Sequence, residues 1–211
     1  MRIAILGTGN VGRAIAKGLA GSDFDVTLGA RDPKGAAVRE LAFVVGARIA
    51  RMREATTRAD LVILALPWAA AVQALASLGS LAGKVVIDCM NPLGMIDGVL
   101  GLTVGHTTSG GEMVQSWLPE ARVVKTLNQV GAEIMARNDH LALRPVQFMA
   151  GDDDAAKADA RRVVEALGFE VMDAGGLIQA RILEPLAMVW INQALFRGKG
   201  RDWALAAASP V

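Results

Sequence analysis

Three observations predict an α/β protein with a doubly wound, mostly parallel sheet. Short apolar runs alternate with segments of helical period along most of the chain. The first run, Ile3-Ala4-Ile5-Leu6, passes directly into Gly7-Thr8-Gly9-Asn10-Val11-Gly12, and Val11, Ile15 and Leu19 then fall on one face of a helix. Two later runs, Leu61 to Leu66 and Lys84 to Asp88, read as buried strands, and Leu61 to Leu66 is apolar throughout, as strands covered on both faces are.

The glycine spacing G-x-G-x-x-G assigns a job to each member. Gly7 permits the tight turn out of the strand, Gly9 lets backbone approach a pyrophosphate, and Gly12 allows the helix to pack close to the sheet. The free N–H groups and positive end of that helix would hold phosphates, with Thr8, Asn10 and Val11 completing the turn. A strand before and a helix after are the context this signature requires, and together they predict a Rossmann-type NAD(P)-binding fold.

Further along, Phe24 to Gly29 reads as a second strand. Asp32-Pro33 suits a helix start, with Asp32 as N-cap and Pro33 in the first turn, and Val38, Leu41, Ala42 and Val45 form its apolar face. Arg48 to Ala50 is a short third strand, Ala69 to Leu78 a helix, and Asn91 to Ser109 an irregular loop rich in Gly, Pro and Thr. A short helix is expected at Glu112 to Trp117, strands at Arg122 to Leu127 and Val146 to Ala150, and a helix near Ala132 to Arg137 between them. Asp154 to Leu167 forms an amphipathic helix and Phe169 to Met172 a last strand. A final helix runs from about Leu177 to Phe196, kinked at Pro185. Right-handed crossovers would put the loops after the strands on one common edge.

At 211 residues, with no repeat and no obvious linker, the chain is expected to be one unit over 1–211 with a small C-terminal helical extension over about 177–211. The formal charge of +1, without blocks of like charge, suggests neither nucleic acid nor an anionic membrane as partner. A single cysteine, Cys89, fits a reducing cytoplasm. Leu61 to Gly83 lacks charge over a length that could span a bilayer, but Pro67, Gln73, Ser77, Gly79 and Ser80 make strand, turn and packed helix the better account.

In this fold the end of the second strand selects the cofactor: an acid about 20 positions after the glycines binds a free ribose 2′-OH, and an Arg there accepts a 2′-phosphate. Ala30 and Arg31 occupy the selecting positions, with Lys34 one turn on, so NADP(H) is favoured. Asp32 is the opposing charge, directed by its capping role toward backbone N–H groups.

These residues bring a family into view. The chain resembles the NADPH-dependent reductases of the deazaflavin coenzyme F420 and the related NADPH-binding domain of flavin-linked metalloreductases. The match runs through the glycine turn, Gly29-Ala30-Arg31, Ala65-Leu66-Pro67-Trp68, Asn91-Pro92-Leu93 and Val123-Val124-Lys125-Thr126-Leu127-Asn128. It continues in Gly151-Asp152-Asp153-Asp154, Asp173-Ala174-Gly175-Gly176-Leu177 and the helix around Glu184-Pro185. The resemblance implies hydride transfer between NADP(H) and F420 or a flavin as co-substrate, with little acid–base chemistry asked of the protein. It implies Leu66, Pro67 and Trp68 along the cofactor pocket, Asn91 and Pro92 near the nicotinamide end, and Asn128 and Val130 beside a small-molecule acceptor. Asn128 stands where the deazaflavin reductases tend to carry a His, and Lys125-x-x-Asn128 is closer to the metalloreductase-type domains.

Lys125 ends a strand and points either into the cleft, where it joins Asn128 as a catalytic candidate, or to solvent. His106 and His140 lack partners at metal-ligand spacing, Asp152, Asp153 and Asp154 read as helix caps, and Cys89 as a packed thiol. No resident metal is expected. The final helix, apolar on several faces, predicts burial in a homodimer. Two other functions compete with hydride transfer to a flavin-type ring: reduction of a small imine or carbonyl, and non-catalytic NADPH sensing.

Overall fold

Arg2–Leu6 forms β1, buried from Ile3 onward, and the chain turns at Gly7 into α1 (Asn10–Gly18). The computed structural model describes residues 1–208. β2 (Asp25–Ala30), α2 (Ala36–Val45), β3 (Arg48–Arg51), α3 (Met52–Arg58), β4 (Leu61–Leu64), α4 (Trp68–Ala76) and β5 (Val85–Asp88) follow. Next come β6 (Leu93–Ile96), β7 (Val99–Leu102), α5 (Gly110–Trp117), β8 (Arg122–Lys125), α6 (Ala132–Ala136), β9 (Val146–Gly151), α7 (Asp154–Ala166) and β10 (Glu170–Gly175). A 3₁₀ turn at Leu177–Gln179 leads into α8 (Ala180–Phe196). Of the extension expected over 177–211, the last three residues lie outside the described residues.

The main sheet has the order β10-β9-β8-β5-β4-β1-β2-β3. From β3 to β8 all neighbours are parallel, and their registers align Gly29, Leu6, Leu64, Asp88 and Lys125 in one row at the carboxyl edge. Chain order changes direction between β1 and β4, the switch point at which such sheets bind ligands. The residues of β4 and β5 are buried without exception, because helices cover both faces. Ile15, Leu41, Val163 and Phe169 belong to the core on one face; Ala55, Leu75, Val86 and Val114 to the core on the other.

β9 runs antiparallel to β8, so the expectation that every strand feeds one edge holds only for the parallel part. α6 is a single short helix, too brief to serve as a crossover. β9 pairs with β8 only through its last two residues, and β9 and β10 therefore reach past the carboxyl edge.

Other expectations need correction. The segment from Asn91 to Ser109 contains an antiparallel hairpin, β6–β7, in which Ile96 pairs with Val99 around Asp97-Gly98. Both turn residues have positive φ, 50° and 79°, the combination for which Asp-Gly is suited. Asp32 does not cap α2, whose N-cap is Gly35; its carboxylate accepts from Lys34 N, and its carbonyl from Gly35 N, making a turn before the helix. α5 starts two residues earlier than expected, because Ser109 accepts from Glu112 N and donates to the Glu112 carboxylate. α3 was not anticipated. α8 is not buried all round: Leu183, Ala187 and Trp190 face inward, while Ile182, Val189 and Phe196 are exposed.

A Cβ on Gly12 would overlap the Gly7 carbonyl oxygen, whereas one on Gly9 would meet nothing within 4 Å. Gly12→Ala is therefore expected to cost about 2–4 kcal/mol in urea unfolding, and Gly9→Ala less than about 1 kcal/mol.

Candidate functional site

A groove of about 580 Å³ lies along the carboxyl edge. Gly7, Thr8, Gly9, Asn10 and Val11 form its floor at the end of β1, and Ala30 and Arg31 close it at the end of β2. Leu66 and Pro67 line it after β4, and Cys89 after β5. Gly12 sits beneath the turn rather than on the wall, and Lys34 is exposed outside the lining. Met52, Ala70 and Ala74, from α3 and α4, add an apolar flank that the sequence did not announce. Among the described residues the lining holds no carboxylate, histidine or lysine.

The groove's chemistry follows from its geometry. Exposed backbone at Gly9 and the start of α1 offers N–H groups to a pyrophosphate. The exposed Arg31 guanidinium stands at the β2 end, where a ribose phosphate would lie. Cys89 is 7% exposed, and burial, with Asp88 beside it, raises its thiol far above the ordinary range, so it stays protonated and unreactive.

Trp68, Asn91 and Pro92 do not line the groove. Trp68 packs on Trp117 with ring centroids 5.4 Å apart, and it and Pro92 crowd the Cα of Gly110. Asn91 Nδ2 donates to the Asn128 carbonyl at 2.8 Å. Asn128 is spent internally: Nδ2 donates to Asn91 Oδ1 and the Leu183 carbonyl, and Oδ1 accepts from Gln129 Nε2. Leu127, just before it, holds φ 58° while fully buried, a conformation costing roughly 1–2 kcal/mol.

Lys125 takes neither of the two orientations expected from sequence. Its side chain has no exposure, and Nζ donates to Asp88 Oδ2 at 3.0 Å, the Met90 carbonyl at 2.5 Å and Glu184 Oε1 at 2.8 Å. Burial by itself would lower its pKa, but the charges of Asp88 and Glu184 outweigh that and hold it above the ordinary lysine value. Glu184 also accepts from Gly110 N and Gly111 N at the start of α5. Nearby, the Arg181 guanidinium holds the Glu112 carboxyl below the usual range. Glu184 was noticed in the sequence only as part of a family pattern; no local spacing predicts that it meets Lys125.

A groove at the switch point of a doubly wound sheet, with a glycine turn as its floor and an exposed cation at its β2 end, has the form of a dinucleotide-binding site. Comparison with known proteins names the family. Residues 2–92 match the family model of NADP oxidoreductases, coenzyme F420-dependent. A crystal structure from Arthrobacter sp. FB24, described as that of a "putative" F420-dependent NADP-reductase, is 34% identical with a TM-score of 0.88, covering 98% of this chain and 99% of that one. The chain belongs to this family and is an NADP-dependent oxidoreductase. It is also 30% identical to metalloreductase STEAP3 of Rattus norvegicus over 188 residues, 89% of this chain but 36% of that protein. A reductive aminase from Aspergillus terreus shares the fold alone, at 22% identity and TM-score 0.68, with 62% of its chain covered.

Removing Lys125 would leave two carboxylates facing each other without a counter-ion. Lys125→Met is expected to destabilise the protein by about 3–5 kcal/mol, read as a lowered midpoint in urea or heat.

Proposed function

We propose that the protein passes hydride between NADP(H) and a deazaflavin of the F420 type or a flavin. The observation that carries this reading is the groove wall, which among the described residues presents no free acid or base. Imine or carbonyl reduction needs a proton delivered at the reacting heteroatom, whereas transfer to a flavin-like ring asks chiefly for orientation and dryness. When bound, the nicotinamide supplies the hydride. The glycine turn holds the phosphates, Arg31 selects the 2′-phosphate with Lys34 adding charge nearby, and Leu66, Pro67 and Met52 exclude water. Lys125 and Asn128 act in this reading as positioning residues, through the loops they brace, and not by touching the acceptor. Asn91 and Pro92 form the support of the nicotinamide end.

The family placement supports F420 as acceptor, and the flavin alternative rests on the sequence's resemblance to flavin-linked metalloreductase domains. The likeness to the reductive aminase, at 22% identity, is one of fold and adds nothing to the competing imine reading. No helix among the described residues is long and apolar enough to cross a membrane. A cytoplasmic setting, one domain over 1–211 and a homodimer belong to the same proposal. The dimer rests on the exposed apolar side chains Ile182, Val189 and Phe196 of α8 with Met95, Ile96 and Val99 of the β6–β7 hairpin.

An NADPH-oxidation screen against F420, FMN, FAD, quinones, ferric chelates and small imines tests the acceptor. Turnover with F420 or a flavin is expected; turnover with imines alone would replace the reading, and none at all would favour a sensor. Arg31→Ala should weaken NADPH about 10- to 100-fold and leave NADH nearly unchanged, measured by fluorescence titration. Sedimentation at micromolar concentration should give a dimer, and a monomer there would remove the dimer from the proposal.

A further inference from the structure

The Asp88–Lys125–Glu184 cluster carries a net charge as well as a set of contacts. Asp88 Oδ1 accepts from Met90 N and Oδ2 from Lys125; Glu184 Oε1 accepts from Lys125 and Gly111 N, and Oε2 from Gly110 N. Every carboxylate oxygen thus faces an N–H donor, as the acceptor-only oxygens of a carboxylate require. One ammonium against two carboxylates leaves a unit negative charge in side chains with at most 1% exposure. The N-terminus of α5 offsets roughly half of it. Glu112 and Arg181, on the two helices packed there, pair with each other at 2.6 Å and add no net charge.

The position of that charge is fixed by the sheet. Asp88 ends β5, and the next residue, Cys89, lines the groove. With the phosphates on the glycine turn and the 2′-phosphate at Arg31, the other end of the dinucleotide extends past β4 toward β5. A nicotinamide ring is cationic when oxidised and neutral when reduced, so a buried negative charge at that end distinguishes the two forms.

We infer that the Asp88–Lys125–Glu184 cluster sets the redox poise of the bound cofactor, favouring NADP⁺ over NADPH relative to a neutral cluster and so making bound NADPH a stronger hydride donor. The inference rests on the NADP(H) assignment of the groove and holds for any acceptor. None of the three residues touches the cofactor; they act through space and through the loop they hold.

The test measures dissociation constants of NADP⁺ and NADPH separately by calorimetry, with no acceptor present. Glu184→Gln and Asp88→Asn each remove the charge and keep the shape. In both, the ratio of the NADP⁺ to the NADPH constant is expected to rise about three- to tenfold over the parent. Glu184→Asp keeps the charge and should keep the ratio, even where both affinities fall. An unchanged ratio in the two neutral variants, or equal weakening of both nucleotides, overturns the inference and leaves the cluster a purely structural brace. Asp88 and Glu184 belong to different elements, so either neutral variant that folds decides the ratio by itself. A parent that binds neither nucleotide would instead overturn the cofactor assignment.

Discussion

Lys125 gives its three ammonium protons to three acceptors in two distant parts of the chain, and the carboxyl edge is organised by that division. Asp88 and Met90 belong to the end of β5, Glu184 to α8, and Glu184 passes the connection on to the start of α5. Burying these charges costs several kcal/mol per ion, and it is tolerated because every donor and acceptor is matched. The ion cluster ties α8 to the ends of β5 and β8, and the Asn91–Asn128 pair beside it, bonded to the Leu183 carbonyl, holds the same elements together a second time.

The two ends of the groove are built by different means. At the phosphate end everything comes from one strand–turn–helix unit and the next strand: Gly7 to Val11 and Arg31 lie within thirty-one residues of sequence. What this end offers is backbone N–H groups and one exposed guanidinium, the directed donors and charge that phosphate recognition needs. At the other end no single segment makes the site. Cys89, the loop through Pro92, Asn128 and α8 meet only after the sheet is assembled. Interactions there are buried, matched and costly to change.

How much could be foreseen follows this division. The glycine spacing placed the groove floor, and Ala30 and Arg31 its far end, because local backbone conformation and one strand end decide them. The apolar runs of β4 and β5 were legible because strands covered on both faces have no polar alternation to confuse them. Asp97-Gly98 and Ser109-x-x-Glu112 were legible too, as a hairpin turn and a capping box, yet they sat in a stretch whose Gly, Pro and Thr content spoke for a loop. Asp32 before Pro33 resembled a helix cap and proved to cap a turn three residues early, since Asx turns and N-caps use the same side-chain acceptor. The reversal of β9 had no local marker; it depends on the brevity of α6.

By itself the sequence determined the sheet's class, the dinucleotide turn, the preference for a 2′-phosphate and the family, all of which reside in short-range pattern. Tertiary structure alone decided where Lys125, Asn128 and Trp68 point. A lysine at a strand end has the same local signature whether it reaches solvent, substrate or two carboxylates, one of them 59 positions away in the chain. Only the register of β5 against β8, which sets Asp88 beside Lys125, and the return of α8 across that edge bring the partners together. Charge pairing over such separations is a property of the assembled sheet, and no window of sequence contains it.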